Sequence, residues 1–288
     1  MKFGLRYANT GPYVDAAKAV ELAQAGEEAG FESIWTVEHV VVPEGYESQY
    51  PYAPSGKMAG GVDDIPIPDP LIWMAWVASA TSTIKVATGI LILPQRNPVV
   101  TAKAVATLDA LSGGRVLLGV GVGWLREEFA ALNANFEERG AVTDEYIEVL
   151  RVLWGQERPS FSGKYVSFDG AYCRPRPPGG SVPIIIGGHT EAAARRAGRL
   201  GDGFFPARGA PQELIDEVHR AAEAAGRDPA SIEITTSLPD DLDEIPALAE
   251  RGVHRLLVPT TPMAGLPTRV DGPQGALAFK DVIDKYAG

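Results

Sequence analysis

Cysteine is almost absent. Cys173 stands alone, so no intrachain disulfide can form and a thiolate metal site has no second ligand. Positive charge is scarce as well. Asp and Glu number 37 against 26 Lys and Arg, a net charge of -11, and a nucleic-acid partner needs the opposite field. No stretch approaches the roughly 18 uncharged apolar residues of a membrane span. The opening residues, MKFGLRYANTGPY, lack the apolar segment of a secretory leader, so the expected location is cytoplasmic. Familiar catalytic signatures are missing too. There is no G-x-S-x-G for a serine nucleophile and no H-E-x-x-H or H-x-H for a metal hydrolase. GVGVGW at 119–124 has Trp124 where a dinucleotide fingerprint needs its third glycine.

What the chain does have is alternation. Short apolar runs recur at 2–8, 33–39, 84–93, 115–122, 182–188, 202–207, 232–238 and 254–260, with amphipathic segments between them. Helix signals are local. A helix is expected over 12–30 with Asp15 in its first turn and Gly30 as its stop, and another over 69–82, opened by Asp69 and Pro70. Others are expected over 98–111, through Val142 to Leu153, after Thr190 and from Pro211 to Gly226. Residues 41–68 and 157–181 are Pro- and Gly-rich insertions after strands two and four, the second with a hairpin around Ser162-Gly163. Eight strands alternating with eight helices predict an α/β fold of the (β/α)8 TIM-barrel type, a single domain over 1–288. A doubly wound open sheet is the competing architecture, and its fingerprint is missing.

Barrel enzymes work at the C-terminal ends of their strands. That rule sorts the polar residues. Glu38 and His39 end strand two, Thr88 and Gly89 fall within the third run, and Gly187, Gly188, His189 and Thr190 end strand five. Arg208 follows strand six. Lys2, Lys85 and His254 sit at strand beginnings, the wrong end, and His219 lies within a helix. A Schiff-base lysine, a metal cluster and a second glycosidase carboxylate are therefore not to be found at the mouth. A barrel that offers so little covalent chemistry of its own points to a cofactor.

The stretch IIIGGHT at 184–190 is a candidate seat for a phosphate. Its glycines admit close backbone approach, and the helix that follows offers free amides at its positive end. A tight strand-to-helix turn explains the same glycines. His39 belongs to a residue type that exchanges protons near neutral pH, although a histidine after a strand also serves as a packing or capping group. Trp124, at the top of strand four, is the tryptophan best placed to face a ligand.

Three longer stretches carry a resemblance: GFESIWTVEHVVVPE, VATGILILPQRNPVVTAKAVATLDALSGGRVLLGVGVGW and IGGHTEAAARRAGRLGDGFF. Together they resemble the bacterial luciferase-like monooxygenase superfamily, and more narrowly its branch associated with coenzyme F420, a deazaflavin. The resemblance runs from Met1 to about Pro259. It implies a barrel holding F420, or alternatively FMN, at the C-terminal mouth. It implies a hydride transferred to or from a small organic substrate, or with FMN an O2-dependent monooxygenation. A catalytically silent flavin binder is the further alternative. By the same resemblance His39 is the candidate proton donor beside the ring and Glu38 its companion. Thr88, Gly89 and Ile90 form a strand-three bulge with a non-prolyl cis peptide, and Gly187 to Thr190 hold the cofactor phosphate. Glu127 is within reach of the cofactor tail. Arg96, Arg126, Arg174, Arg176 and Arg208 are candidates to gather its anionic groups, Arg96 and Arg208 foremost. The sequence departs from the sugar-phosphate dehydrogenases of this superfamily. Trp124 replaces their glutamate after strand four, and Val40-Val41-Val42-Pro43 replaces their tryptophan after the histidine. The insertion at 41–68, with Tyr46, Tyr50 and Tyr52, is a candidate lid, and a dimer contact is the other reading. A homodimer is expected by analogy, with the apolar helix around 71–77 as its surface.

Overall fold

The first apolar run becomes β1 (Lys2–Arg6), whose side chains alternate between two environments. Phe3 and Leu5 join the layer between strands and helices, while Gly4 and Arg6 face the barrel axis. This computed structural model describes residues 1–58, 61–206, 209–263 and 265–287. The strands that follow are β2 (Ser33–Thr36), β3 (Lys85–Thr88), β4 (Leu91–Ile92), β5 (Val116–Gly121) and, outside the barrel, the hairpin β6 (Phe161–Ser162) and β7 (Ser167–Phe168). Then come β8 (Ile184–Gly187), β9 (Gly203–Phe205), β10 (Glu233–Ser237) and β11 (Val253–Pro259). All barrel pairings are parallel, and β1 meets both β2 and β11, which closes the ring. β3 and β4 share one position against β5, so the ring has eight positions, as a (β/α)8 barrel requires.

The helices between them are α1 (Ala16–Ala29), α2 (Pro70–Ala78), α3 (Pro98–Ser112), α4 (Arg126–Ala131), α5 (Arg139–Gly155), α6 (Glu191–Leu200), α7 (Gln212–Ala224), α8 (Ile245–Glu250), α9 (Gly272–Ala278) and α10 (Lys280–Tyr286). Asp15 is not inside the first turn of α1 but caps it, accepting from the amides of Ala17 and Lys18 after a 3-10 turn over Gly11–Val14. α2 ends at Ala78, short of the expected 82, because side chains take its last carbonyls. Thr81 Oγ1 donates to Val77 O at 3.0 Å and Arg115 Nη2 to Ala78 O at 2.7 Å. The third apolar run is not one strand: it breaks at Gly89–Ile90, a cis peptide. Among the described residues no helix is long and apolar enough to cross a membrane.

The barrel axis is filled by Trp35, Ala87, Leu117, Ile185, Phe205 and Leu257. Its strand-beginning end is closed by ions. Arg255, fully buried, binds Glu32 at 2.9 and 3.0 Å and Glu233 at 2.9 Å. Lys85 joins Glu32 and Lys2 joins Glu233. Lys2 and Lys85 therefore serve this plug. Burial acts to raise the Glu32 carboxyl, but the hydrogen bonds and charge of Arg255 outweigh it and hold the group at about 2, against an ordinary 4.5. A carboxyl depressed on folding stabilises above its unfolded value, and that stability is lost as pH falls through the folded one. Acidification from about pH 5 to about pH 2 is expected to remove about 3 kcal/mol through this group. Thermal midpoints against pH would read it. Glu32→Gln should start lower and show a flatter acid limb, and an unchanged limb would contradict the assignment.

Candidate functional site

The chain leaving β2 is pinned before it reaches the candidate pair. Asn9, fully buried after β1, donates to Val37 O and accepts from Val37 N, both at 2.8 Å. Glu38 and His39 then turn to different partners. Glu38 accepts from the Ile92 amide at 2.5 Å and from Arg96 Nε at 2.8 Å, and Arg96 also reaches Asp69 Oδ2 at 2.7 Å. Burial pushes the Glu38 carboxyl up, against the lowering pull of Arg96 and the Ile92 amide. Glu38 and Arg96, both expected at the cofactor, meet each other. Glu38 faces the loop that follows the cis peptide, and Arg96 is paired internally by two carboxylates, because a buried carboxylate at this position needs a cation.

His39 has a partner that sequence reading missed. Its Nδ1 lies 2.9 Å from Glu128 Oε2, and Glu128 Oε1 accepts from the amides of Val40 at 2.6 Å and Val41 at 3.3 Å. The two side chains are 7% and 0% exposed. A carboxylate can only accept, so Nδ1 carries the proton and Nε2 is left for a ligand. The signal for Glu128 was present. In LREEF, Leu125, Glu128 and Phe129 share the buried face of α4, and a glutamate on an apolar face calls for a partner. Glu127, one residue earlier, points elsewhere. It accepts from Glu47 N at 2.7 Å, Ser48 N at 3.1 Å and Ser48 Oγ at 2.6 Å, so it anchors the first insertion instead of reaching toward a cofactor tail.

Thr88 and Ile90 set the glycine pattern of two neighbouring strands. A Cβ at Gly121 would lie 1.8 Å from Ile90 Cδ1, and one at Gly187 2.5 Å from Ile90 Cγ2. A Cβ at Gly119 would lie 1.9 Å from the carbonyl oxygen of Thr88, whose hydroxyl donates to Gly119 O at 2.6 Å. Gly119, Gly121 and Gly187 therefore make room for Thr88 and Ile90, whereas Gly123 makes room for Phe129 and Ile92. Thr88 is fully buried on this cross-strand bond.

At the other junction Gly188 has φ of 137°, closed to ordinary side chains, and its amide donates to Phe205 O at 3.2 Å. That amide is engaged within the fold. What remains for an anion is the N-terminus of α6, with Thr190 as its cap, and His189. Thr190 Oγ1 accepts from the Ala193 amide at 3.2 Å, which leaves its O–H to donate. His189 Nδ1 is buried without a partner. Other orphaned buried atoms mark strand exits as well: Nε of Arg6 at the end of β1, and both amide atoms of Gln95 just beyond β4. Native chains rarely leave such atoms bare, and three exits of one mouth doing so fits a polar ligand there. Arg208 lies outside the described residues. Arg126 pairs with Glu137, and Arg174 and Arg176 pair with Glu157.

The first insertion lies over Trp124. Tyr46 and Tyr50 meet its ring at 5.5 and 5.1 Å between centroids, and His39 approaches edge-on at 5.7 Å. A cleft of about 730 Å³ runs from His39 between the two limbs of the insertion, past Val40, Val42, Val62 and Ile65, and it carries Glu44, Asp63 and Asp64.

A barrel with a paired imidazole at its mouth, and no activated nucleophile there among the described residues, has the form of a cofactor-dependent enzyme. The profile of the luciferase-like monooxygenase family matches residues 2–283, and the chain belongs to that family. It is 32% identical to an F420-dependent glucose-6-phosphate dehydrogenase of Kineococcus radiotolerans over 243 residues, 81% of this chain and 66% of that one. It is 31% identical to an uncharacterized protein of Mycobacterium tuberculosis over 258 residues, 88% of each. Among solved structures it is similar to an F420-dependent secondary alcohol dehydrogenase in complex with an F420-acetone adduct (TM-score 0.76, 22% identity, 98% of each chain). It is likewise similar to the coenzyme F420 dependent tetrahydromethanopterin reductase of Methanopyrus kandleri (TM-score 0.77, 18% identity, 99% of each chain). At such identities the structures speak for the fold.

Proposed function

We propose that this protein is an F420-dependent oxidoreductase acting on a small organic substrate. The observation that carries the reading is the buried His39–Glu128 pair at the barrel mouth. The relatives that name F420 support it. When bound, the deazaflavin would supply hydride exchange at C5. The chain supplies the rest. Ile90, partly exposed and packed on the buried Trp35 and Phe205, would give a planar ring its apolar floor. The N-terminus of α6, with His189 and Thr190, would hold the phosphate. Glu128 fixes the His39 tautomer, so that Nε2 can give or take the substrate proton. The first insertion, anchored by Glu127, screens the mouth from water. Glucose-6-phosphate is not the proposed substrate. Trp124 stands where the sugar-phosphate enzymes carry their glutamate, and it lies against Tyr46 and Tyr50.

Fluorescence titration of the protein with F420 and, separately, FMN tests this. F420 should bind at least about tenfold more tightly, a difference of about 1.4 kcal/mol. The reverse preference would favour a flavin monooxygenase, and binding of neither would remove the cofactor reading.

A second copy of the chain is the proposed cover for α2 and α3, where Ile72, Trp76 and Val100 are 74%, 53% and 67% exposed. Sedimentation equilibrium should show a dimer that Ile72→Glu with Val100→Glu converts to monomer. A wild-type monomer would end this proposal.

A further inference from the structure

Three arginines are buried among the described residues: Arg6, Arg196 and Arg255. Arg255 pairs with Glu32 and Glu233, and Arg196 pairs with Asp144. Arg6, 7% exposed, has no carboxylate partner among the described residues. Its Nη1 donates to Ser237 Oγ at 2.7 Å, and its Nε is buried with no partner at all. The guanidinium carbon lies 4.5 Å from the centroid of the Tyr7 ring and 4.9 Å from that of Phe205. Guanidinium keeps its charge in proteins. Burying a charge without a counterion opposes folding, and ring faces offset only part of that cost.

Its position supplies a reason. Arg6 is the last residue of β1, at the end of the barrel where chemistry occurs. Phe205 meets Trp35 edge to face at 5.7 Å. Both lie against Gly89, whose missing Cβ would stand 3.0 Å from Trp35 Cε3 and 3.6 Å from Phe205 Cε1. The guanidinium is thus one side chain away from the Gly89–Ile90 peptide, on the floor of the mouth. The next residue, Tyr7, has φ of 65°, in the left-handed region that bulky residues avoid, and such outliers cluster at ligand sites. The first insertion reaches the same place. Burial raises the Tyr52 hydroxyl, and the charge of Arg6 opposes that rise.

We propose that Arg6 is the receptor for a planar oxyanion presented by a ligand in the barrel mouth. Ser237 and the two rings hold its fork in place before the ligand arrives. Nε and its neighbouring Nη then offer a side-on pair of donors that can take the two oxygens of a carboxylate or converge on one ionised ring oxygen. The oxyanion has two possible sources, a carboxylate on the substrate or an ionised oxygen of the cofactor ring. Only the second source rests on the F420 reading.

The test uses the full chain with Arg6→Met and Arg6→Lys. It reads the thermal midpoint without ligand, and the affinities for benzoate, benzamide and F420. Arg6→Met should melt at or above the wild type, because an apolar side chain of similar length replaces an unpaired buried charge. It should lose at least tenfold in affinity for benzoate or for F420, with benzamide binding changed less than twofold. Arg6→Lys should fall between, since the ammonium keeps the charge and loses the fork. A loss confined to benzoate assigns the substrate as source, and a loss confined to F420 assigns the ring. If the wild type does not bind F420 but its benzoate binding depends on Arg6, the cofactor reading falls and this one stands. An Arg6→Met protein that fails to fold assigns Arg6 a structural role and overturns the proposal. So do unchanged affinities in that variant, and a wild type that binds neither oxyanion.

Discussion

Replacing His39 by asparagine is expected to cut F420-dependent turnover about 10²–10⁴-fold, the usual contribution of a positioned proton donor or acceptor. Binding of F420 should stay within a few-fold, because the floor and the α6 N-terminus are untouched. The imidazole is 7% exposed on its side chain and held at Nδ1 by a fully buried carboxylate, so its Nε2 has a defined direction and a single tautomer. Glu128→Gln tests the same geometry from behind. Its amide oxygen can keep the bonds to Val40 and Val41, but its NH2 faces His39 and calls for a bare Nδ1. The proton then moves to Nε2, and a loss of about 10–100-fold is expected, as for other residues that orient an imidazole. The assay is F420 absorbance against any alcohol or carbonyl compound that a screen finds active. Turnover within threefold of wild type in His39→Asn would remove the histidine from the mechanism.

Gly119→Ala is expected to lower stability by about 3 kcal/mol or more, at the upper end for overpacking, because the contact is with backbone. The new Cβ would sit 1.9 Å from Thr88 O, an atom held by the pairing of β3 with β2 and β5. Nothing there is a flexible side-chain tip that can swing aside. The strand must shift, and with it Thr88, Gly89 and Ile90, so cofactor binding should fall in parallel. Gly155→Ala is the control. That glycine ends α5 with nothing within 4 Å of an added Cβ, and the change should stay within about 1 kcal/mol of neutral. Urea midpoints read both variants. Equal midpoints would show that the Thr88–Gly119 approach does not constrain the barrel.

Much of the architecture is local and so was legible in the chain. Asp69 before Pro70 starts α2, Gly30 at φ of 94° ends α1 and Gly113 at φ of 73° ends α3. These signals act within one helical turn, and the apolar runs between them determined eight strand positions and their order. The barrel rule then placed His39 at a strand exit and Lys2 and Lys85 at the closed end. What the sequence by itself did not determine is which of two neighbours faces which partner. Glu38 and His39 are adjacent, yet one reaches 58 residues along the chain to Arg96 and the other 89 residues to Glu128. Glu127 and Glu128 divide in the same way between the insertion and the histidine. The glycines of IIIGG read as ligand space and GVGVGW as an incomplete dinucleotide fingerprint, and it took the packing of Thr88 and Ile90 against β5 and β8 to show what Gly119, Gly121 and Gly187 accommodate. Arg6 was passed over because a lone arginine in a strand carries no local pattern, and its missing counterion is visible only once all its neighbours are assembled. Local propensity acts over about one helical turn, whereas partners at a barrel mouth come from every strand, and only closure of the ring brings them together.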